Sequence, residues 1–268
     1  MLYWVFKWVL FTPFVRLVFR PSVEGAENIP ETGPAILVCN HLSAGDTFTL
    51  PAMMKRRLTW PAKVELFSGS DWRGRVLAWF LVQVGQLPLD RSGGRASATS
   101  MDGVLAVLRQ GQLLGIFPEG TRSPDGRLYK GKTGVARLVL SAGVPVIPVA
   151  MRNTQFVKSK LFGLPLMRSP SIRIGKPMDF RRYASAGNDR AVLRWVTDEI
   201  MNAVMELSGQ EYVDAYGSSV KAALEEGRDF SPAVLPRPGA GNPVPPLPGP
   251  KPQRRSTVAR QPSTESTA

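Results

Sequence analysis

Short apolar runs alternating with longer helical patterns constrain this chain most. Four runs read as strands: AILVC (35–39), LLGIF (113–117), VPVIPVA (144–150) and SIRIG (171–175). Each is too short for a helix and carries the continuous or alternating apolar pattern of a buried strand. Helical stretches lie between and after them. DWRGRVLAWFLVQVG (71–85) is one, and RASATSMDGVLAVLRQG (95–111) is a second that stops at Arg109 and Gly111. KTGVARLVLSAG (132–143) also stops at glycine. In 188–209, Leu193, Val196, Ile200, Val204 and Leu207 recur at three and four, and Gly209 closes the helix. Strands alternating with helices predict a single layered α/β domain without internal repeats.

Both ends differ from this body. Residues 1–22 are apolar and aromatic but carry Lys7, Arg16 and Arg20. Their longest uncharged run, 8–15, falls well short of the roughly 20 apolar residues that a membrane-spanning helix needs. FRPSVEG offers no good signal-cleavage site. Trp4, Trp8, Phe11 and Phe19 supply rings suited to the headgroup level, and Thr12, Arg16 and Arg20, spaced by four, are expected on one helical face. An interfacial helix, or two short ones kinked at Pro13, follows as the expectation; a helix packed on the domain is the alternative. From Ser231 the chain is rich in Pro, Gly, Ser and Thr and poor in large apolar groups, so 231–268 is expected to be a disordered tail. Its PxxP spacings, Pro243 to Pro246 and Pro245 to Pro248, are ordinary for such a composition. The folded body is thereby bounded as 23–230.

The formal net charge is +13 over 268 residues. The tail holds only part of it, in Arg237, Lys251, Arg254, Arg255 and Arg260 against Glu265. The balance points to anionic partners: phosphates, anionic lipid or nucleic acid. One cysteine, Cys39, excludes an internal disulfide, and one histidine beside it leaves too few ligands for a zinc site, so no metal is expected.

That histidine, His41, follows the first strand in NHLSAGD (40–46), with Asp46 five residues on. Five residues turn an ideal helix by about 500°, so the pair meets only across an irregular turn, which Gly45 allows. Two readings stand at this point: a general base oriented by a carboxylate, or a satisfied histidine at the mouth of a turn. Cys39 reads as a buried strand cysteine rather than a nucleophile.

GIFPEGTRS (115–123) is the second constellation. A strand followed by proline, glycine and hydroxyl residues makes a tight loop with free N–H groups, suited to an anion. Arg122 adds a planar donor fork that matches a phosphate. Glu119 is expected to hydrogen-bond an acceptor hydroxyl or to hold Arg122. Lys63, Arg91 and the lysines of YKGKTG, Lys130 and Lys132, occupy further loop positions.

VEGAENIPETGPAILVCNHLSAGD, AKVELF, VGQLPLDR, FPEGTRS, YKGKTGVARL, VPVIPVA and IRIGKPMDF occur in that order, and over roughly 20–215 the chain resembles the 1-acylglycerol-3-phosphate (lysophosphatidate) acyltransferase family. The resemblance implies a fold of the glycerolipid acyltransferase type. It implies acyl transfer from acyl-CoA or acyl carrier protein, with no other cofactor, to the sn-2 hydroxyl of a lysophosphatidate. His41 and Asp46 would be catalytic. Arg122, Lys63 and Arg91, with Lys130 behind them, would hold the phosphate, and Glu119, Gly120 and Thr121 would shape the acceptor site. It further implies a peripheral or monotopic protein on the cytoplasmic face of the cell membrane, with no nucleic-acid partner. Transfer to another lysolipid or glycolipid is the alternative. A non-catalytic basic protein binding membrane or nucleic acid leaves the His, Asp and Glu motifs without a role.

Overall fold

The computed structural model describes residues 2–83, 85–89, 94–158 and 165–249. The strands in chain order are β1 (Ser22–Glu24), β2 (Ala35–Cys39), β3 (Leu58–Lys63), β4 (Gln86–Leu89), β5 (Leu113–Ile116), β6 (Leu128–Tyr129), β7 (Val146–Arg152), β8 (Phe156–Lys158), β9 (Pro165–Met167), β10 (Ser171–Ile174), β11 (Tyr212–Val213) and β12 (Val234–Leu235). The α-helices are α1 (Leu2–Val5), α2 (Thr12–Phe19), α3 (Asp46–Met53), α4 (Trp72–Gln83), α5 (Gly94–Arg109), α6 (Gly134–Ala142), α7 (Arg190–Ser208) and α8 (Gly217–Glu225).

The principal sheet runs β1-β10-β7-β2-β5-β3-β4. β7, β2, β5, β3 and β4 are mutually parallel, and β10 joins β7 antiparallel. All five residues of β2 are buried, as a central parallel strand covered on both faces requires. Its alternation assigns the two layers. Ile36 and Val38 join Val104 and Leu108 of α5, Leu138 and Val139 of α6 and Val196 and Ile200 of α7. Ala35, Leu37 and Cys39 face the other way, with Leu50, Met54 and Trp60. The helices 95–111, 132–143 and 188–209 expected from periodicity are found as α5, α6 and α7; Asp189 caps α7 by accepting from the Ala191 and Val192 N–H groups.

Strands β3 and β4 were not among the expected runs. Pro61 and Pro88 interrupt their apolar character; β4 is the edge strand, and Pro61 lies past Thr59, where the pairing of β3 with β5 ends, so both prolines are tolerated. The tail boundary also needs correcting. Val234 and Leu235 pair with β11, and Arg237 reaches Glu199 at 2.6 Å, so the stretch just after Ser231 is part of the fold. A lone apolar pair suffices there because an exposed strand edge awaits it. The disorder expected for 250–268 lies outside the described residues.

At the N-terminus a π-helical turn, Phe6–Phe11, links α1 to α2. Pro13 lies at the start of α2, and the chain stays helical through it. The shared face expected of Thr12, Arg16 and Arg20 does not form. Thr12 turns inward with Val15 and Phe19, Arg16 points outward, and Arg20 lies beyond the helix at φ 50°. The inward stripe is polar at two points. The Lys7 ammonium donates to Met54 O at 2.5 Å and to Arg56 O at 3.3 Å, and the Thr12 hydroxyl donates to Ala52 O at 2.9 Å. These bonds satisfy carbonyls that the C-terminal end of α3 leaves unpaired. Burial lowers the Lys7 pKa to about 8. Trp4, Val5, Trp8, Val9, Leu10, Phe14, Leu17 and Val18 are outward and exposed.

Candidate active site

The carboxyl ends of the parallel strands bring His41, Lys63 and the 117–123 loop to one edge of the sheet, where open α/β sheets bind ligands. β2 delivers Asn40 and His41, β5 delivers Phe117 and the loop to Ser123, and β3 ends at Lys63. Asn40 is fully buried and extends the β2–β7 pairing with its side chain: its amide donates to Met151 O at 2.9 Å and accepts from Met151 N at 2.7 Å. The exit of β2 is thus fixed where His41 leaves it.

Asp46, fully buried, is the first residue of α3. Its Oδ2 accepts from Leu42 N at 2.6 Å and Ser43 N at 2.9 Å and lies 2.9 Å from His41 Nδ1; Oδ1 accepts from the Thr154 hydroxyl. A carboxylate receiving these donors is an acceptor, so Nδ1 carries the imidazole proton and Nε2 keeps its lone pair. Among the described residues nothing hydrogen-bonds Nε2. The turn from Ser43 to Gly45 makes the contact possible: a Cβ on Gly45 would lie 2.3 Å from Thr154 O and 2.7 Å from Met167 Sδ, so only glycine fits. His41 stacks on Phe117 with centroids 3.9 Å apart, and Phe117 stacks on Trp60 at 4.5 Å, which fixes the imidazole plane.

Glu119 faces inward, contrary to the expectation that it meets an acceptor hydroxyl or Arg122. It is 1% exposed; Oε1 accepts from His41 N at 2.9 Å and Oε2 from Tyr129 N at 3.1 Å. It shapes the site from behind. Burial first, and the Asp46 charge in addition, raise its pKa to about 8, against the two N–H bonds that lower it. Ser123 N donates to His41 O at 2.8 Å, so the second loop holds both ends of the histidine's backbone. Gly120 sits at φ 70°, and the Thr121 and Arg122 N–H groups are not taken by the described residues. N–H groups left free in this way are what an anion-binding loop would need.

Arg122 is exposed beside it, and no described residue pairs with its guanidinium. Lys63 is exposed at the end of β3. Lys130 is engaged elsewhere, 2.8 Å from Asp214 Oδ1. Lys132, two residues on, lies against the motif loop instead: a Cβ on Gly120 would meet Lys132 Cε, Cδ and Nζ at 3.1–3.2 Å. The reason is local. The ladder from β6 to β11 carries Lys130 N to Ala215 O and its side chain toward Asp214, while Lys132 N donates to Pro118 O in the motif loop. Arg91 lies outside the described residues. Thr154, Phe117 and Asn40 were missed; only the adjacency of Asn40 and Phe117 to the motifs hinted at them.

Cys39 is fully buried, and burial together with the Asp46 charge holds its thiol well above the usual range, away from nucleophilic use.

A family model described as Acyltransferase matches residues 20–152, which includes both motif loops. The chain belongs to the acyltransferase family. It is 31% identical over 137 residues to the chloroplastic 1-acyl-sn-glycerol-3-phosphate acyltransferase of Arabidopsis thaliana, spanning 51% of this chain and 37% of that protein. The 1-acyl-sn-glycerol-3-phosphate acyltransferase of Cocos nucifera is 28% identical over 226 residues, 84% of this chain and 64% of the relative. The alpha form of Mus musculus is 33% identical over 142 residues, 53% and 48% of the two chains. The chain therefore spans less than two thirds of each relative's length. The crystal structure of the 1-acyl-sn-glycerophosphate acyltransferase from Thermotoga maritima superposes with a TM-score of 0.55 at 23% identity, covering 82% of this chain and 78% of that one. That protein shares the layered α/β fold with this chain.

Proposed function

We propose that this acyltransferase moves a fatty acyl chain from acyl-CoA or acyl carrier protein to the sn-2 hydroxyl of 1-acylglycerol-3-phosphate, giving phosphatidate. The single observation carrying this reading is the His41–Asp46 pair at 2.9 Å, with Nε2 uncommitted beside a loop that offers free N–H groups and Arg122. Nε2 takes the proton of the acceptor hydroxyl as its oxygen attacks the thioester carbonyl carbon. The tetrahedral oxyanion collapses, the C–S bond breaks, and the leaving thiolate takes the proton back from the imidazolium. Asp46 holds the tautomer and stabilises the transient cation; base assistance of this kind is worth about 10²–10⁴-fold. No covalent enzyme intermediate is needed, and the thioester is the only co-reactant. Arg122, Lys63, Lys132 and Arg91 are the cations assigned to the acceptor phosphate.

No helix among the described residues is long and apolar enough to cross a membrane. The outward apolar face of residues 4–18 supports peripheral or monotopic attachment to a membrane surface, and the proposal takes that surface to be the cytoplasmic face of the cell membrane. Thiol release from oleoyl-CoA, with and without 1-acylglycerol-3-phosphate, tests the proposal. Acceptor-dependent release in the wild type that is abolished by His41→Ala is expected. Release indifferent to this acceptor, or unchanged in His41→Ala, would refute it.

A further inference from the structure

The exposed apolar surface does not end with the N-terminal helices. Helix α4 is internal to the chain, and Leu81 is its one buried residue. Trp72 is 70% exposed and Val76 56%, and Leu77, Trp79 and Val82 are exposed as well. A water-soluble face that apolar is uncommon unless something covers it. The cover must also accept cations. α4 contains Arg73 and Arg75 and no acidic residue, and the Arg73 guanidinium lies 5.4 Å from the Trp72 ring centroid.

Two contacts join this face to others. Phe6 of the N-terminal segment meets Trp79 and Phe80, each with centroids 6.1 Å apart. Phe80 in turn meets Phe48 at 6.2 Å, two residues after Asp46. α4 therefore packs against the π turn that links α1 and α2, and it touches the helix that carries the catalytic carboxylate.

We propose that α4 is a bilayer-contacting helix, lying on an anionic lipid surface together with the N-terminal helices as one continuous face. This rests on the acyltransferase reading only in that a lipid acceptor gives the contact its use. A second copy of the chain is disfavoured by charge: a self-complementary interface through α4 would bring arginines of like sign together. An anionic leaflet instead complements Arg73 and Arg75, while Trp72 and Trp79 match the headgroup level. The turn Val64–Phe67 joins Lys63, at the end of β3, to the start of α4, so lipid contact would be made beside that cation.

The test uses the full chain and sedimentation with vesicles of phosphatidylcholine, with and without phosphatidylglycerol. Each arginine near an anionic surface contributes roughly fivefold to partitioning, so Arg73→Glu/Arg75→Glu should weaken binding to the anionic vesicles by about thirtyfold or more. Trp72→Ala/Val76→Ser should weaken binding to both vesicle types. Brominated lipid should quench the Trp72 fluorescence, obtained as the difference between wild type and Trp72→Phe. Transfer in detergent micelles, with soluble acyl-CoA, should persist in all these variants. That last measurement separates the two ideas, since its absence in the wild type would count against the enzyme and not against α4. Unchanged partitioning of the charge variant, with no quenching at Trp72, overturns the proposal. A change in molar mass by light scattering, with vesicle binding intact, overturns it in favour of a second copy.

Discussion

Replacing Glu119 by glutamine isolates what a buried carboxyl does behind the histidine. The wild-type group accepts two backbone N–H bonds, at 2.9 and 3.1 Å, while 1% exposed, and its pKa rises from 4.5 to about 8. A group held more protonated in the folded than in the unfolded chain contributes stability that is present below the unfolded value and lost as pH climbs toward the folded one. The window is therefore about 4.5 to 8. At roughly 1.4 kcal/mol per pH unit, wild type should lose about 4 kcal/mol from this group between pH 5 and pH 8. Glutamine does not titrate but points one N–H₂ at a backbone donor, which costs about 1–3 kcal/mol at any pH. At pH 5 wild type should thus be the more stable protein, and by pH 8 Glu119→Gln should match or exceed it. Thermal melts of both at half-unit steps read this directly, with about 2–4 °C expected per kcal/mol for a chain of this size. Parallel curves would mean that Glu119 stays ionised throughout, and the reasoning from burial would be wrong.

Other expectations concern the same site. Asp46→Asn keeps an oxygen for the Leu42 and Ser43 N–H groups but removes the charge behind His41, so kcat should fall by about 10²–10⁴ with the melting temperature nearly kept; a fall confined to KM would contradict this. Arg122→Ala should raise KM for lysophosphatidate by roughly 10–100-fold, the worth of one charge-assisted bond, whereas Lys130→Ala should leave KM unchanged because Asp214 holds that ammonium. Truncation after Gly249 should leave the melting temperature unaltered, while truncation before Ser231 should lower it by several degrees through loss of β12 and the Arg237–Glu199 pair, with transfer retained at low temperature; equal melting of the two truncations would restore the original tail boundary.

What the sequence made legible was local. The runs of β2, β5, β7 and β10 and the spacing of α7 are periodic within a few turns, and the motif loops adjoin them. The His41–Asp46 contact was open on spacing alone, because five residues place two side chains on different faces of a helix. It closes because Asp46 starts α3 and folds back onto Leu42 and Ser43, a turn supported by Thr154, 108 residues further on. The inward turn of Glu119 depends on Tyr129 N, and the choice of Lys132 over Lys130 depends on the pairing of β6 with β11. Strands β3 and β4 were hidden by prolines, tolerated because β4 is the sheet edge and Pro61 lies past the end of the β3–β5 pairing.

The grip on the His41 peptide has a further consequence. Its N–H is held by Glu119 and its C=O by Ser123, so residues 40–46 and 117–123 are one mechanical unit drawn from two places in the chain. A chimaera that imports either loop alone from a relative inherits a mismatched half. Exchange of substrate preference between such enzymes should therefore succeed only when both loops travel as a single cassette.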